Sequence, residues 1–308
     1  MDEAGYGPNL GPLVVTVTVW EVPGSPHEFD FWNELAPTVV STNNRTPTQN
    51  ALIVGDSKEV YSSTRGINDL EASVLTILES LAPTSSCFQD LHRTLSGGVV
   101  ELAESEPWYK EPLSLPLSAK RNVELIKEWQ NICTVKNIKL RAIASDLVLI
   151  ERFNRTVAAY DSKGLALSRI SLGLLRQIWD PDEQEDVLVV ADKHGGRNRY
   201  DELLAEVLDE QFIFRQEEGT KRSRYRVGNT GLCFQTKAES HFPVAVASMV
   251  SKYLRELAME CFNRYWQTYL PDLKPTKGYP VDARRFRNDI AEVQKKLNIP
   301  DAILWRDR

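Results

Sequence analysis

The sequence predicts an α/β fold, because strand-like and helix-like segments are mixed along the whole chain. Dense β-branched residues with partial alternation at 13–20 predict a half-buried strand. The continuous apolar run at 187–191 is typical of a strand covered on both faces. Helical spacing of apolar residues recurs at 70–81, 154–179 and 283–297.

The other segments follow from local composition. Residues 21–50 are rich in Pro, Ser, Thr and Asn, which predicts a long surface loop before a short strand at 51–54. Residues 82–117 carry four prolines, a Gly-Gly pair and several glutamates, so we expect an insertion with little regular structure. The remaining predicted elements are a helix at 119–131, a strand at 138–144, a helix at 200–208, a hairpin at 224–227 and 232–236, and a long helix at 243–269.

Composition bounds the class of protein. A chain of 308 residues that is 42% hydrophobic can bury a substantial core. Its net charge of −6 gives no global attraction to nucleic acid, so any such binding needs local basic patches. No apolar run approaches the ~20 residues of a membrane span, and no signal peptide is visible. Four scattered cysteines without a C-x-x-C argue against a disulfide scaffold, and we expect a cytoplasmic protein.

Four carboxylates are candidates for chemistry. Asp2 and Glu3 precede a turn dense in Gly and Pro, and Glu239 lies just ahead of the long helix. Asp192 ends the apolar strand, where α/β sheets usually place their ligand sites. Each also has an ordinary explanation: a solvated acidic pair, a turn cap, or a partner for the helix dipole. Oxygen ligands without a Cys or His cluster favour Mg²⁺ or Mn²⁺ over zinc.

Two basic segments could contact an anion. Ser57 and Lys58 follow a short strand, where a hydroxyl and an ammonium suit a phosphate, although an ordinary turn explains them as well. Residues 221–237 hold five Lys or Arg and no acid, with Tyr225 among them. Such a mixture suits a nucleic-acid backbone, and a solvated hairpin face is the alternative. The candidate arginines are Arg222, Arg224 and Arg226.

Taken in order, five motifs resemble the type 2 ribonucleases H, of the ribonuclease HII and HIII kind. DEAGYGPNLGPLVV at the start resembles the family's D-E-x-G-x-G-x-x-x-G-P-x-V, and GDSK at 55–58 resembles its D-S-K element. Asp192 follows an apolar strand, as the family's third acid does. KAESHFPVAVASMVSKY at 237–253 and KGYP at 277–280 are similar to its fourth-acid and late Gly-Tyr-Pro stretches.

This resemblance implies a ribonuclease H-like fold, with a central mixed sheet flanked by helices and a C-terminal helical part. The catalytic domain would span 1–270, with insertions at about 21–50 and 82–117. A helical extension at 271–308 would pack on the same domain. The implied activity is metal-dependent hydrolysis of the RNA strand of RNA–DNA hybrids, leaving 5′-phosphate and 3′-hydroxyl ends.

The resemblance also assigns roles to residues. It implies that a two-metal site of Mg²⁺ or Mn²⁺ is held by Asp2, Glu3, Asp192 and Glu239. It implies that Ser57 and Lys58 hold a substrate phosphate, that Gly5, Tyr6 and Gly7 contact the ribonucleotide's 2′-hydroxyl, and that Tyr279 packs on a sugar. The partner would be an RNA–DNA hybrid or a ribonucleotide-containing duplex. The sequence shows no membrane association and no obligate protein partner.

Two alternatives remain open at this point: a catalytically impaired relative that only binds nucleic acid, and a metal-dependent DNA nuclease on the same fold. The chain's start bears on the first of them. Only Met1 precedes Asp2, and terminal residues are usually poorly ordered unless a sheet ties them down. We therefore expect that the acid pair lacks a strand to fix it, and that the natural protein starts upstream of Met1 or is impaired in this form.

Overall fold

A computed structural model describes residues 1–42, 50–61, 66–81, 85–97, 102, 106–182, 184–208 and 211–307. The strands in these residues are β1 (Asp2–Ala4), β2 (Leu13–Glu21), β3 (Val39–Ser41), β4 (Leu52–Val54), β5 (Lys139–Val148), β6 (Val187–Asp192), β7 (Ile213–Glu218), β8 (Arg222–Val227) and β9 (Thr230–Gln235). The helices are α1 (Phe31–Leu35), α2 (Ser57–Val60), α3 (Asn68–Leu78), α4 (Phe88–Leu95), α5 (Val123–Val135), α6 (Ile150–Tyr160), α7 (Lys163–Ile178), α8 (Asp201–Val207), α9 (Phe242–Tyr269), α10 (Pro280–Lys296) and α11 (Asp301–Leu304).

The strands form two main sheets that meet edge to edge. β1, β2 and β5 pair antiparallel in that order, and the second sheet has the order β6-β9-β8-β7, with β6 and β9 parallel. The Met1 nitrogen donates to Val190 O at 2.8 Å, and Asp192 N donates to Met1 O at 3.3 Å. Bonds to residues on either side of Ala191 are the pattern of a parallel pair. The strands therefore join into the central mixed sheet that was predicted.

This pairing corrects the expectation that the acid pair lacks a strand to fix it. Asp2 and Glu3 are not left without a strand, because they form β1 opposite Thr16 and Val15. Met1 adds the two bonds to β6. The acid pair is therefore held from both sides by backbone hydrogen bonds.

Helices cover both faces of the sheet, so the α/β prediction is confirmed. Successive residues of a strand point to opposite faces. Val14 accordingly lies in one core with Phe242 of α9, and Val15 lies in the other with Leu167 of α7. α9 is buried along most of its length, and Phe286 of α10 belongs to the same core. None of the helices in the described residues is long and apolar enough to cross a bilayer.

Three predicted elements differ from the structure. The segment 21–50 is not only a surface loop, because it contains α1 and β3, although 43–49 lie outside the described residues. Likewise 82–117 contains α4, whose Phe88 is fully buried, because its apolar residues complete the core around α9. The helix predicted at 154–179 is two helices, since Asp161 is left-handed (φ +48°) and Ser162 caps α7.

The apolar strand at 187–191 is covered on one face rather than two. Val189 and Ala191 are buried in the core beneath α7, whereas Leu188 and Val190 are only partly buried. The reason lies in the topology: α9 crosses β1 and β2 and contacts β6 much less. One face of the second sheet is therefore left partly open beside Asp192.

Candidate active site

The four predicted carboxylates come from three separate stretches of the chain. Asp2 and Glu3 lie on β1 and Asp192 ends the adjacent β6. Glu239 lies in a short 3₁₀ turn, Ala238–Ser240, just before α9. The junction between the two sheets brings them within electrostatic range, since Glu3, Asp192 and Glu239 each raise the pKa of at least one other acid of the four.

Burial and mutual repulsion shift these acids in the same direction. Burial, and then the charge of Glu3, raise the pKa of Asp2 well above its usual value, while a hydrogen bond with Ser248 opposes the shift. Burial and the charge of Asp192 raise the pKa of Glu3 to about 7. The pKa of Glu239 is raised by burial first and also by Asp192. Such a cluster favours protons or cations over bare negative charge.

Asp192 is the acid with an unmet bonding need. Burial raises its pKa, although backbone N–H groups of Ala238 and Lys193 donate to the carboxylate. Its Oδ1 is nevertheless buried without a hydrogen-bond partner in the described part of the chain. A buried polar atom left unpaired is uncommon in folded proteins and points to an absent ion or water.

Lys58 supplies the positive charge beside these acids. Its pKa is raised, chiefly by Asp56 and also by Glu239. Asp56 caps α2 by accepting from Lys58 N at 3.0 Å, and its charge also raises the pKa of Asp192. Sequence reasoning missed Asp56 as a site residue. The available signal was its place in GDSK, directly after a strand.

Ser57 needs a correction. It was predicted to hold a phosphate, but its side chain is buried and its hydroxyl accepts from Ser248 Oγ at 3.2 Å. Ser248 also bonds the carboxylate of Asp2. Because α2 turns Ser57 toward α9, this hydroxyl supports the acid pair from behind and does not face solvent.

The donor chemistry fits a hard divalent cation. All four groups offer carboxylate oxygens, the ligands that Mg²⁺ and Mn²⁺ prefer. As they stand, however, no three His, Cys, Asp or Glu side chains in the described part of the chain are grouped to hold a metal ion. Like charges repel at close range, so drawing these acids together requires a cation between them. The four acids are therefore suitable ligands, but as they stand they are not grouped to coordinate one metal ion.

The glycine loop (residues 5–11) follows the acid pair. Gly5 adopts φ +88°, and Gly7 is exposed to solvent. Tyr6 is partly buried, and its hydroxyl lies close to Gly195, where an added Cβ would be 3.2 Å from that oxygen. Gly278 O accepts from Asn9 N at 2.8 Å, which places the neighbouring Tyr279 beside the loop. Tyr279 is 53% exposed, so its ring is open to a ligand.

The lysine loop (residues 193–199) follows Asp192. Lys193 is buried, yet its Nζ has no carboxylate partner among the described residues. Instead it donates to Gly219 O at 2.6 Å, Arg197 O at 3.0 Å, Asn198 Oδ1 at 3.0 Å and Ser223 Oγ at 3.1 Å. This side chain therefore joins the loop to the β7–β8 turn.

The three predicted arginines lie on the open face of the second sheet. Arg222, Arg224 and Arg226 alternate with buried residues along β8. Arg222 lies opposite Gln235, which in turn lies opposite Asp192, so the three form one row across the sheet. Glu217 pairs with Arg222 at 2.9 Å and with Arg224 at 3.2 Å. Two of the three cations thus share a single carboxylate, which offsets one positive charge.

Comparison with known proteins adds little to this geometry. No protein-family model matches the chain, and a search of curated proteins finds no match. Among solved structures, the chain is similar to that of the PCNA:RNase HII complex from Archaeoglobus fulgidus, with a TM-score of 0.44 and 16% identity. That alignment covers 100% of this chain and 92% of the other. The likeness is weak, so support for a function has to come from the chain's own residues.

Proposed function

We propose that this protein is a metal-dependent endonuclease of the type 2 ribonuclease H kind, which cleaves the RNA strand of RNA–DNA hybrids. The observation that carries the proposal is the group formed by Asp2, Glu3, Asp192 and Glu239. Three separated stretches of chain bring these acids within electrostatic range of one another where the two sheets meet, and burial and repulsion raise their pKa values. The five motifs in family order support the same activity.

The acids would hold two Mg²⁺ or Mn²⁺ ions, and Asp192 Oδ1 is the oxygen that most needs such a partner. When bound, paired ions of this kind activate a water and stabilise the leaving 3′-oxygen. The products would carry 5′-phosphate and 3′-hydroxyl ends. Lys58 lies close enough to Glu3 and Glu239 to shift their pKa values, which suits an ammonium that contacts the phosphate.

Substrate contacts would come from the surfaces on either side of the acids. On one side are Gly5, Tyr6 and Gly7, where we propose contact with the 2′-hydroxyl that distinguishes RNA from DNA. Tyr279 lies beside them with an exposed ring for a sugar or base. On the other side are Arg222, Arg224 and Arg226 along the open face of β8, which we call the arginine row and which suits the phosphate backbone of a nucleic acid.

One observation favours the catalytically impaired alternative. In the part of the chain that the structure describes, the acids do not group to hold a metal as they stand, so the site could bind nucleic acid without cleaving it. The assay should therefore measure binding and cleavage together. Four labelled substrates are needed: an RNA–DNA hybrid, a DNA duplex with one ribonucleotide, plain duplex DNA and single-stranded RNA.

We expect cleavage of the hybrid with Mg²⁺ or Mn²⁺ and none with EDTA, and 5′-phosphate on the downstream product. Asp192→Asn should be inactive, which excludes a contaminating nuclease. Asp186→Asn is the matched control, because that residue lies just before the same strand in an exposed pair with His27. Binding without cleavage would support the impaired relative, and preferential cleavage of plain DNA would support the DNA nuclease.

A further inference from the structure

We propose that Arg306 is a positioning residue, whose guanidinium fixes the glycine loop and through it the acid pair. Its Nε and Nη2 donate to Gly11 O at 2.9 and 2.6 Å, and its Nη1 donates to Gly5 O. The Arg306 backbone N–H adds a bond to Asn9 O at 3.0 Å. One residue thus binds both ends of the loop from 295 positions away along the chain. The inference rests on the proposed function.

Burial of the charged Arg306 side chain costs solvation free energy, which packing contacts alone do not offset. Only 4% of the residue is exposed, and the guanidinium stacks on the Phe153 ring at 4.6 Å. No salt bridge of Arg306 occurs among the residues that the structure describes. Burial lowers the pKa of Arg306 to about 9, so the group remains a cation at neutral pH. Backbone carbonyls take the place that a carboxylate usually has.

The loop needs such a partner because of its own backbone. Gly5 and Gly11 have φ of +88° and +78°, in the region that residues with a Cβ rarely adopt. A Cβ at Gly5 would lie 2.5 Å from Nε of Arg255, so a second buried guanidinium packs against the same glycine. Arg255 itself donates to Lys277 O at 3.0 Å. Arg255 also donates to Leu10 O of the loop, at 3.4 Å. The loop is therefore enclosed between two arginines, of which Arg306 makes the shorter and more numerous bonds.

The position of the glycine loop determines which side chains the bonds from Arg306 can orient. Gly5 is two residues after Glu3 and directly before Tyr6, so fixing its carbonyl fixes the direction in which both side chains project. A displacement of about 1 Å at a reacting group can lower a rate ~100-fold. A planar guanidinium can reach two carbonyls at once, whereas an ammonium acts from a single point. Charge alone should therefore not replace Arg306.

The test combines hydrogen exchange and kinetics on Arg306→Lys and Arg306→Gln. We expect faster exchange in a peptide spanning the glycine loop and unchanged exchange in α9. On the hybrid, kcat should fall about 10- to 100-fold, with KM within about twofold of wild type. Arg306→Lys should recover much less than half of the kcat that Arg306→Gln loses, because lysine retains the charge but lacks the planar set of N–H donors that reaches two carbonyls.

Arg287→Ala is the matched control. Arg287 stacks on Trp305 and pairs with Asp301, so this variant loosens the same C-terminal segment without touching the loop. It should keep both the exchange pattern and kcat. If Arg306→Gln unfolds, Arg306→Lys carries the test alone. Unchanged loop exchange, or faster exchange with unchanged kcat, would overturn the proposal. A wild-type protein that cleaves nothing would contradict the proposed function only, and the exchange result would still decide whether Arg306 holds the loop.

Discussion

The two loops beside the acids are held by the same kind of interaction, but the residue that makes it is adjacent in sequence in one case and remote in the other. In each, a buried cation donates to backbone carbonyls and has no salt-bridge partner among the described residues. The lysine loop is held by Lys193, the residue directly after Asp192. The glycine loop is held by Arg306, from the far end of the chain. The lysine loop is thus fixed by one of its own residues, which also ties it to the nearby β7–β8 turn, and the glycine loop only when the whole chain has folded.

This difference has a physical consequence. Carbonyl groups have a smaller charge than carboxylates, so such a cation keeps much of its positive field while its donors are satisfied. Both cations lie in segments that border a cluster of four acids. They hold the loops without bringing further negative charge to a place where repulsion already raises pKa values.

The largest expected effect tests whether the two loops serve one site. Asp2→Asn and Asp192→Asn should each lower turnover on the hybrid by roughly 1000-fold, because losing one ligand of a metal pair removes several kcal/mol of stabilisation. Groups that act as a unit are not additive. The double variant should therefore be no slower than either single variant by more than about tenfold.

Thermal unfolding provides the control for these variants. Removing a repelled charge should leave the free energy of unfolding unchanged or slightly higher, so a loss of activity cannot be attributed to misfolding. If the two losses multiply in the double variant, the acids act independently and the two loops do not serve one centre.

The second prediction breaks the lysine loop. Lys193→Met leaves Arg197 O and Gly219 O without their buried donor, which should cost about 1–3 kcal/mol of unfolding free energy in urea denaturation. Lys127→Met, on the exposed face of α5, is the matched control and should stay within about 0.5 kcal/mol of wild type. Equal stability of the two variants would show that Lys193 does not hold its loop.

Much of the fold could be predicted from sequence because its signals are local. The β-branched run gives β2, the hairpin around Gly228 gives β8 and β9, and the small-residue stretch after Pro243 begins the long helix. Missed elements are those that tertiary packing decides. α4 is only eight residues long and stands between the turn signals Pro83 and Gly97-Gly98, which mark its surroundings as a loop, yet the core around α9 needs its Phe88.

The site could be predicted only as far as its motifs reach. The family resemblance selected the four acids and Lys58, whereas local patterns left an ordinary explanation open for each of them. It could not show that β1 lies against β6, since that pairing joins residues about 190 positions apart. It also predicted that Ser57 holds a phosphate, because no local pattern shows that the single turn of α2 directs this side chain toward α9. Arg306 gave no signal at all, since its partners are backbone carbonyls at the other end of the chain.

The third prediction concerns the acid beside the glycine loop, in protein kept free of divalent cations. Burial raises the pKa of Glu3 from 4.5 to about 7, so the folded state retains a proton that the unfolded chain releases. The contribution of Glu3 to the unfolding free energy should therefore be fully present below about pH 4.5 and be lost as pH rises through about 7. Mn²⁺ should offset the loss above this range, and Glu3→Gln should flatten the slope and weaken the Mn²⁺ effect.

Glu106 is the matched control for that titration. It is buried away from the four acids, and burial raises its pKa to about 8. Glu106→Gln should also reduce the loss of stability with rising pH, but it should leave the Mn²⁺ effect intact. If both variants change the Mn²⁺ response equally, the response does not come from the acid cluster.

The smallest expected effect distinguishes the two sides of the site. The lysine loop borders the arginine row of β8, where Glu217 compensates Arg222 and Arg224. Glu217→Gln frees both cations, so affinity for the hybrid should rise, and log Kd should depend more steeply on log salt by about 0.7–0.9 for each additional phosphate that the protein neutralises. Neutralising Arg222, Arg224 and Arg226 together should shift both quantities the opposite way. Arg264→Gln, in an exposed pair with Glu260, should change neither. If the glutamate and arginine variants shift affinity and salt dependence in opposite directions, the phosphate backbone of the hybrid binds on the open face of the sheet. If wild type and the three variants have equal salt slopes, the exposed side of β8 does not contact the hybrid. Substrate binding would then be confined to the glycine loop and Tyr279.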